Sequence, residues 1–404
     1  MRTFEKTHPW ITFRCDLQEA TAPFWISLGE ASSKCEHISY VPMRPDTAEK
    51  LHLIYLAKGA AATTAIEGNT LSEAEVLKAA KGELVVPPSK QYLVQEVDNI
   101  IAAYNDIGDR VASGTLSPLS PVLLCSYNKQ VLENLSVEEG VVPGELREHS
   151  VGVGNVYRGA PAQDCPYLVD RLCEWLNGAD FQPPEGMDAV YAIIRAVVAH
   201  LYLAWIHPFG DGNGRTARLL EFHILLSAGV PSPAVHLLSN HYNQTRAEYY
   251  RQLDRASKSG GEIAPFIEYA VRGFVDGLRE QLETIHMQQW DVFWRDFVDE
   301  KFRGKNSAAA TRQKHLVLDL GADWVEVGKI AELNARLAVA YANKTAKTVQ
   351  RDVNALFTMG LIQREGNKVR ARHELIFSFL PLRSVKPQSA TTTPDFSDDS
   401  PVGQ

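Results

Sequence analysis

Twelve consecutive residues carry the densest chemistry in this chain: His207, Pro208, Phe209, Gly210, Asp211, Gly212, Asn213, Gly214, Arg215, Thr216, Ala217 and Arg218. They bring together a base, an acid, a glycine-rich turn and two guanidinium groups. An apolar helical pattern follows at once, with Leu219, Leu220, Phe222, Ile224, Leu225 and Leu226. Glycines ahead of a helix let main-chain N–H groups turn towards a ligand, and the helix N-terminus adds partial positive charge. The turn therefore reads as an anion site. Arg215 and Arg218 add cations three residues apart on one helix face. Asp211 would repel a phosphate. A carboxylate beside a phosphate site points instead to a divalent cation between the two, Mg²⁺ first among them. His207 stands just before the turn, where a neutral imidazole could take a proton from an incoming nucleophile. The residues alone suggest Mg²⁺-assisted transfer of a phosphate-containing group. The bland alternative, a helix start with a glycine turn and a capping Asp, leaves His207 and both arginines unexplained.

The stretch resembles the Fic family, whose motif H-x-F-x-[D/E]-G-N-G-R-x-x-R is matched at every fixed position. Members transfer a nucleotide-derived group, usually AMP from ATP, to a protein hydroxyl. The resemblance implies a protein adenylyltransferase acting on a Ser, Thr or Tyr of a target protein or of itself. It makes His207 the catalytic base and puts Asp211 on Mg²⁺. ATP would lie along Gly212, Asn213, Gly214, Arg215, Thr216, Ala217 and Arg218, with Arg218 on the terminal phosphate. A kinase-like branch has Lys where this chain has Gly214, so Gly214 favours AMP transfer. Tyr249 and Tyr250 match a Tyr-Tyr pair that lines the adenine pocket. Ser257 stands where some members use an Asn against the nucleotide.

A second motif concerns control. Thr63-Thr64-Ala65-Ile66-Glu67-Gly68 matches the family's inhibitory pattern [S/T]-x-x-x-E-[G/N], placed before the main motif. The resemblance implies that Glu67 pairs with Arg218 and takes the place of the terminal phosphate. Thr63 would support it by hydrogen bonding or helix packing, and Gly68 completes the motif. In some relatives the corresponding carboxylate also positions a water that removes AMP from the modified target. The small and β-branched run Val151, Gly152, Val153 and Gly154 reads as a strand or hairpin. It is either a plain surface hairpin or, as the resemblance implies, the family's flap, which aligns a target by strand addition with these four residues as its nucleotide-side edge.

These motifs need a helical body to position them. Helical spacing runs from Thr47 to Ile66. Ser72 with Glu75 makes a capping box. Further helices are expected over 91–112, 119–136, 165–177, 187–206, 216–228, 245–256 and 262–288. Residues 1–45 read as an irregular arm with a short helix. The fold class is mainly α: a Fic-type helical domain with a small β-hairpin flap, then a small winged-helix (α+β) module. The expected divisions are an arm and inhibitory region over 1–110, a catalytic domain over 111–288, the winged-helix module over 291–383 and a disordered tail over 384–404. Within the module, helices are expected over Val327–Arg336 and Thr345–Met359, and a hairpin over 360–370. Residues 291–320 read as a helix leading into it.

The chain has 404 residues, 45% hydrophobic and 22% charged, with a net charge of −8. That length supports two or three domains. That charge excludes a global field drawing the chain onto nucleic acid or an anionic membrane, but leaves room for a local basic patch. The C-terminal module has such a patch in Lys344, Lys347, Arg351, Lys368, Arg370 and Arg372. A DNA-binding regulator, with the Fic-type domain as sensor, is the alternative reading. A protein-binding or dimerising module, including a homodimer, stays open beside it. Five scattered cysteines without CxxC spacing suggest reduced thiols, and the expected location is cytoplasmic. No run of about 18 apolar residues is read, so no membrane span is expected. No HExxH occurs, and His200 reads as a satisfied helix residue rather than a zinc ligand.

Overall fold

A computed structural model describes residues 2–18, 20–153 and 157–377, with Val153 and Phe377 described by their backbone alone. The expected tail over 384–404 lies outside the described residues. The chain divides into two compact units, Met1–Ile285 and His286–Gln404.

The first unit is helical. Its elements are α1 (Phe4–Thr7), α2 (Ala22–Tyr40), α3 (Pro45–Ile66), α4 (Glu73–Ala80), α5 (Gln91–Ala112) and α6 (Pro121–Val131). A small hairpin follows, β1 (Gly152–Val153) and β2 (Tyr157–Arg158). Then come α7 (Cys165–Leu176), α8 (Asp188–Ile206), α9 (Asn213–Ser227), α10 (Leu237–Gln244), α11 (Arg246–Lys258) and α12 (Ala264–Lys301), which runs on past the unit's end. The hairpin pairs Gly152 with Arg158 and Val153 with Tyr157. One core joins residues of 1–110 to those of 111–288, from Phe24 and Leu28 through Ile100 and Val197 to Phe274.

α8 and α9 pack side by side at the centre of this core. Most α8 residues are buried, among them Ile193, Val197, Leu201 and Ile206. By length and composition α8 could cross a membrane, although Asp188, Arg195 and His200 interrupt it. Its residues are mostly buried inside the helical core, and burial on all sides makes a helix apolar all round. α4 starts where expected: Ser72 accepts from the Glu75 N–H, and Glu75 reaches back to the Ser72 N–H. Such a cap stabilises by about 1 kcal/mol.

Several elements differ from the sequence expectation. The arm contains the 19-residue helix α2, whose stripe Phe24, Leu28, Ala31, Cys35 and Ile38 is buried. Pro23 sits in its first turn, where the missing N–H costs nothing. α6 ends at Val131, α9 begins at Asn213 inside the motif, and α10 was not foreseen. The five cysteines form no disulfide; Cys35, Cys165 and Cys173 are buried.

The second unit contains α13 (Ala308–Asp319), β3 (Val325–Glu326), α14 (Ala335–Tyr341), α15 (Ala346–Thr358), β4 (Ile362–Glu365) and β5 (Lys368–Ala371). The stretch expected as one helix over 291–320 instead breaks between Lys301 and Ala308. Gly304, with φ of +78°, lies in that break. Val327–Glu332 is a 3₁₀ segment and α14 starts only at Ala335, where Asn334 caps it from its side chain. The sheet order is β3-β5-β4, all antiparallel. Its core includes Leu316, Ile330, Leu337, Val353, Leu356 and Val369.

Candidate active site

α8 ends on a residue that the backbone treats unusually. His207, its C-cap, has φ of +51°, in the left-handed region. For a non-glycine residue that costs on the order of 1 kcal/mol and needs support from its surroundings. Arg147 supplies the support. It is buried, its Nε donates to the His207 carbonyl at 2.7 Å, and its other nitrogens donate to the carbonyls of His149 and Ala160. The Arg147 N–H donates to the Pro208 carbonyl at 3.0 Å. The sequence reading did not single out Arg147. A basic residue four positions before the run that starts at Val151 carries no spacing signal of its own.

Five residues later Gly212, at φ of +74°, starts α9. The first bond of this helix start runs from the Thr216 N–H to the Gly212 carbonyl at 2.9 Å. The N–H groups of Asn213, Gly214 and Arg215 precede it, so they are the ones a helix start offers to an anion. The Asn213 carboxamide does not take part. It spans the loop, accepting from the Phe209 N–H and donating to the Phe209 carbonyl, both at 2.9 Å.

A cavity of about 410 Å³ opens at this helix start. Of the expected site residues, Glu67, His207, Asn213, Gly214, Ala217, Arg218, Tyr249 and Tyr250 line it. Ile66, Tyr157, His200, Ala204, Trp205, Leu253 and Asp254 line it too and were not foreseen as ligand contacts. Leu253 and Asp254 follow Tyr249 and Tyr250 by one helical turn, a spacing that could have found them. Val151, Gly152, Gly212, Arg215 and Thr216 are not among the lining residues. Gly154 lies outside the described residues.

Arg215 points elsewhere. It is buried, pairs with Glu96 at 3.1 Å and reaches Asp211 at 3.4 Å. Glu96 in turn accepts from Asn69 at 2.9 Å, just past Gly68. Here, then, the Arg215 side chain, expected at the phosphates, contacts two carboxylates and does not line the cavity. Two carboxylates, the partly buried Glu96 and the half-exposed Asp211, hold the guanidinium away from the cavity. Thr216 is similarly occupied, donating to the Gly212 carbonyl at 2.8 Å.

Glu67 caps the end of α3, and Gly68 at φ of +105° lets the chain turn away there. The Glu67 carboxylate meets Arg218 Nη2 at 2.5 Å. The same nitrogen donates to the Thr63 carbonyl at 3.0 Å, while the Thr63 hydroxyl bonds Tyr104 at 3.1 Å. Glu67 also lies directly over Gly214, where any Cβ would collide with its carboxylate. A carboxylate thus sits on the helix start and the buried arginine together. Burial works against the Glu67 charge, but Arg218, and behind it Arg215 and His207, hold its carboxyl below the usual range. Arg218 keeps Nε and Nη1 buried without a hydrogen-bond partner among the described residues, a donor set suited to an anion's oxygens.

Tyr249 gives the cavity its ring but not its hydroxyl, which meets His200 Nε2 at 2.8 Å. His200 Nδ1 lies 3.2 Å from Glu221, and Tyr242 donates to that carboxylate at 2.9 Å. Tyr249 also stacks on Tyr242, centroids 4.8 Å apart.

Burial lowers the His207 pKa to about 4, with Arg147 adding to the effect and the Ala204 carbonyl, Glu67 and Asp211 opposing it. The imidazole is therefore neutral near pH 7 and free to accept a proton. Burial likewise lowers His223 to about 4 and His236 to about 3. The unfolded chain protonates these groups as pH falls through about 6.5, whereas the folded chain resists until about 4. Stability is therefore greatest at neutral pH and falls across that window, by roughly 1–2 kcal/mol per histidine near pH 5. Thermal melts should show a lower Tm at about pH 5 than at about pH 7.5; equal values would contradict it.

Residues 118–225, which hold this loop and helix, match the Fic/DOC family. The match covers 108 of the 404 residues. Over 210 residues it is 33% identical to protein adenylyltransferase fic-1 of Caenorhabditis briggsae, covering 52% of this chain and 38% of that protein. It is 30% identical over 204 residues to protein adenylyltransferase Fic of Drosophila mojavensis, covering 50% and 37%. The chain thus spans well under half the length of these relatives. Among solved structures, a Fic family protein from Desulfovibrio desulfuricans G20 has a TM-score of 0.53 at 21% identity, covering 87% of this chain and 97% of that one. Fic-1 (aa134–508) from C. elegans has a TM-score of 0.54 at 24% identity, covering 66% and 74%. The mainly helical Fic fold expected from the motif is the fold found.

Proposed function

We propose that this chain is a protein adenylyltransferase, moving AMP from ATP to a Ser, Thr or Tyr hydroxyl and restrained by Glu67. The observation that carries this is one constellation: a neutral His207 and the buried Arg218 facing one cavity at the helix start of the Fic/DOC domain. The relatives named protein adenylyltransferase support it.

His207 accepts the proton as the target oxygen attacks the α-phosphorus of ATP. The bond from that phosphorus to the bridging oxygen breaks, and pyrophosphate leaves. The main-chain N–H groups of Asn213, Gly214 and Arg215 and the Arg218 guanidinium neutralise phosphate charge, so positioning and electrostatics do most of the work. Tyr249 and Tyr250 offer apolar faces to the base. The hairpin β1–β2 has a short, small-residue edge suited to aligning a target strand.

Mg²⁺ fits the Asp211 carboxylate, which is about half exposed at the mouth of the loop. No cluster of three His, Cys, Asp or Glu exists among the described residues. Asp211 would hold a Mg²⁺ ion here, and the ion would supply charge neutralisation for phosphate. Asp211 accepts from Arg215 at 3.4 Å and from the Gly212 N–H at 2.5 Å. The reading extends to a cytoplasmic location, to the chain as its own substrate and to a homodimer. Removal of AMP by the Glu67 carboxylate belongs to the same proposal.

ATP labelled at the α- or the γ-phosphate tests the reaction. Transfer of label to protein from the α position alone is expected. Label from the γ position would make the protein a kinase, and label from neither would remove the transferase reading.

A further inference from the structure

The second unit carries a surface that the adenylyltransferase reading does not use. Residues 334–372 contain eight Lys and Arg against two Asp and Glu, in a chain whose net charge is −8. One of the two acids, Asp352, is buried. It accepts from Arg312 at 2.6 Å, from Gln313 at 2.9 Å and from the Tyr341 hydroxyl at 3.2 Å. That network fastens α15 to α13 and α14 and removes the only carboxylate of α15 from its outer face. The buried stripe Asp352, Val353 and Leu356 fixes which face that is.

The outer stripe reads Lys347, Gln350, Arg351 and Asn354, at helical spacing, with Asn343 and Lys344 just ahead of the helix. Lys344, Lys347 and Arg351 are exposed, and none has an ion pair among the described residues. Two of the polar side chains are pre-set: Gln350 donates to Asn354 at 3.1 Å, and Arg364 on β4 reaches the same Asn354 oxygen at 3.2 Å. The β4–β5 hairpin therefore stands tied to the end of the helix, presenting exposed Arg364 and Lys368 beside it. Arg370 lies over the Trp324 ring, 5.0 Å from its centre, and donates to Gln363.

From this arrangement we infer that the outer face of α15 with the β4–β5 hairpin binds double-stranded DNA. A helix about 10–12 Å across fits the major groove, where Arg, Asn and Gln read base edges and lysines meet phosphates. The hairpin then lies along the flanking backbone. An acidic protein partner would be served by the charges alone. The amide-bearing residues interleaved with them on one stripe, Gln350 and Asn354, favour nucleic acid instead.

The test uses the full chain and a fluorescein-labelled pool of random-sequence duplexes of about 30 base pairs, at about 50 mM salt. Saturable binding is expected. In the triple variant Lys344→Ala, Lys347→Ala, Arg351→Ala it weakens at least about tenfold, while AMP transfer stays unchanged. Each lost phosphate contact also lowers the slope of log affinity against log salt by about 0.9. All three side chains are exposed, so the variant should keep its circular dichroism spectrum and Tm. No binding at low salt, equal binding by the folded variant, or poly-glutamate bound as tightly as the duplex would each overturn the inference.

Discussion

Glu67→Gly raises AMP transfer by at least about tenfold, the effect of releasing ~1.4 kcal/mol or more of competing ion pairing. Glu67 occupies Arg218 Nη2 at 2.5 Å and covers Gly214, so the variant frees both the cation and the helix start for phosphate. The substitution falls after the last residue of α3, beside a glycine that already turns the chain, so the helix itself survives. The same variant tests the second role of the carboxylate. If Glu67 positions a water against the modified target, wild type removes AMP in the presence of Mg²⁺ and the variant does not. Both proteins are compared on one AMP-labelled target. Equal transfer rates would sink the inhibitory role, and unchanged removal would sink the second role alone.

His207→Ala, made in the Glu67→Gly background where turnover is easiest to measure, lowers transfer by about 10²–10⁴-fold. Binding of ATP changes by no more than a few-fold, because His207 acts on the target hydroxyl and not on the phosphates. Arg147 should still hold the loop, since its contact is to the main-chain carbonyl of residue 207 and not to the imidazole. Full transfer by the double variant would remove His207 from the mechanism. Loss of ATP binding together with transfer would instead make it a structural residue.

Much of the first unit was legible because local signals and tertiary packing agree there. The capping box at Ser72, the uninterrupted helical spacing of 91–112 and the glycine turn at 210–214 each name their own structure. The pairing of Glu67 with Arg218 joins residues 151 positions apart, and it was readable only through the motif resemblance. What stayed hidden depends on which of several partners a side chain chooses. Arg215 has the same spacing logic as Arg218, yet Glu96 and Asp211 turn it aside. Asn213 could have faced a ligand, yet the Phe209 main chain takes both ends of its amide. Arg147 acts through carbonyls scattered from residue 149 to residue 207, and no linear pattern announces that. In the second unit, β3 is two residues long and exists only because β5 offers it an edge.

The seat of Glu67 has a consequence for how any release must work. The residue caps the negative end of α3's macrodipole and at the same time rests on the positive end of that of α9. Its charge is disfavoured by its own helix and favoured by the neighbouring one. Withdrawal therefore leaves the start of α9 without a counter-charge, a state that an arriving triphosphate relieves as well as the carboxylate did. Restraint and substrate are alternative occupants of one electrostatic seat. On the proposed adenylyltransferase reading, the set point is then the difference between two anions' affinities for that seat, and a modest bias on either one moves it.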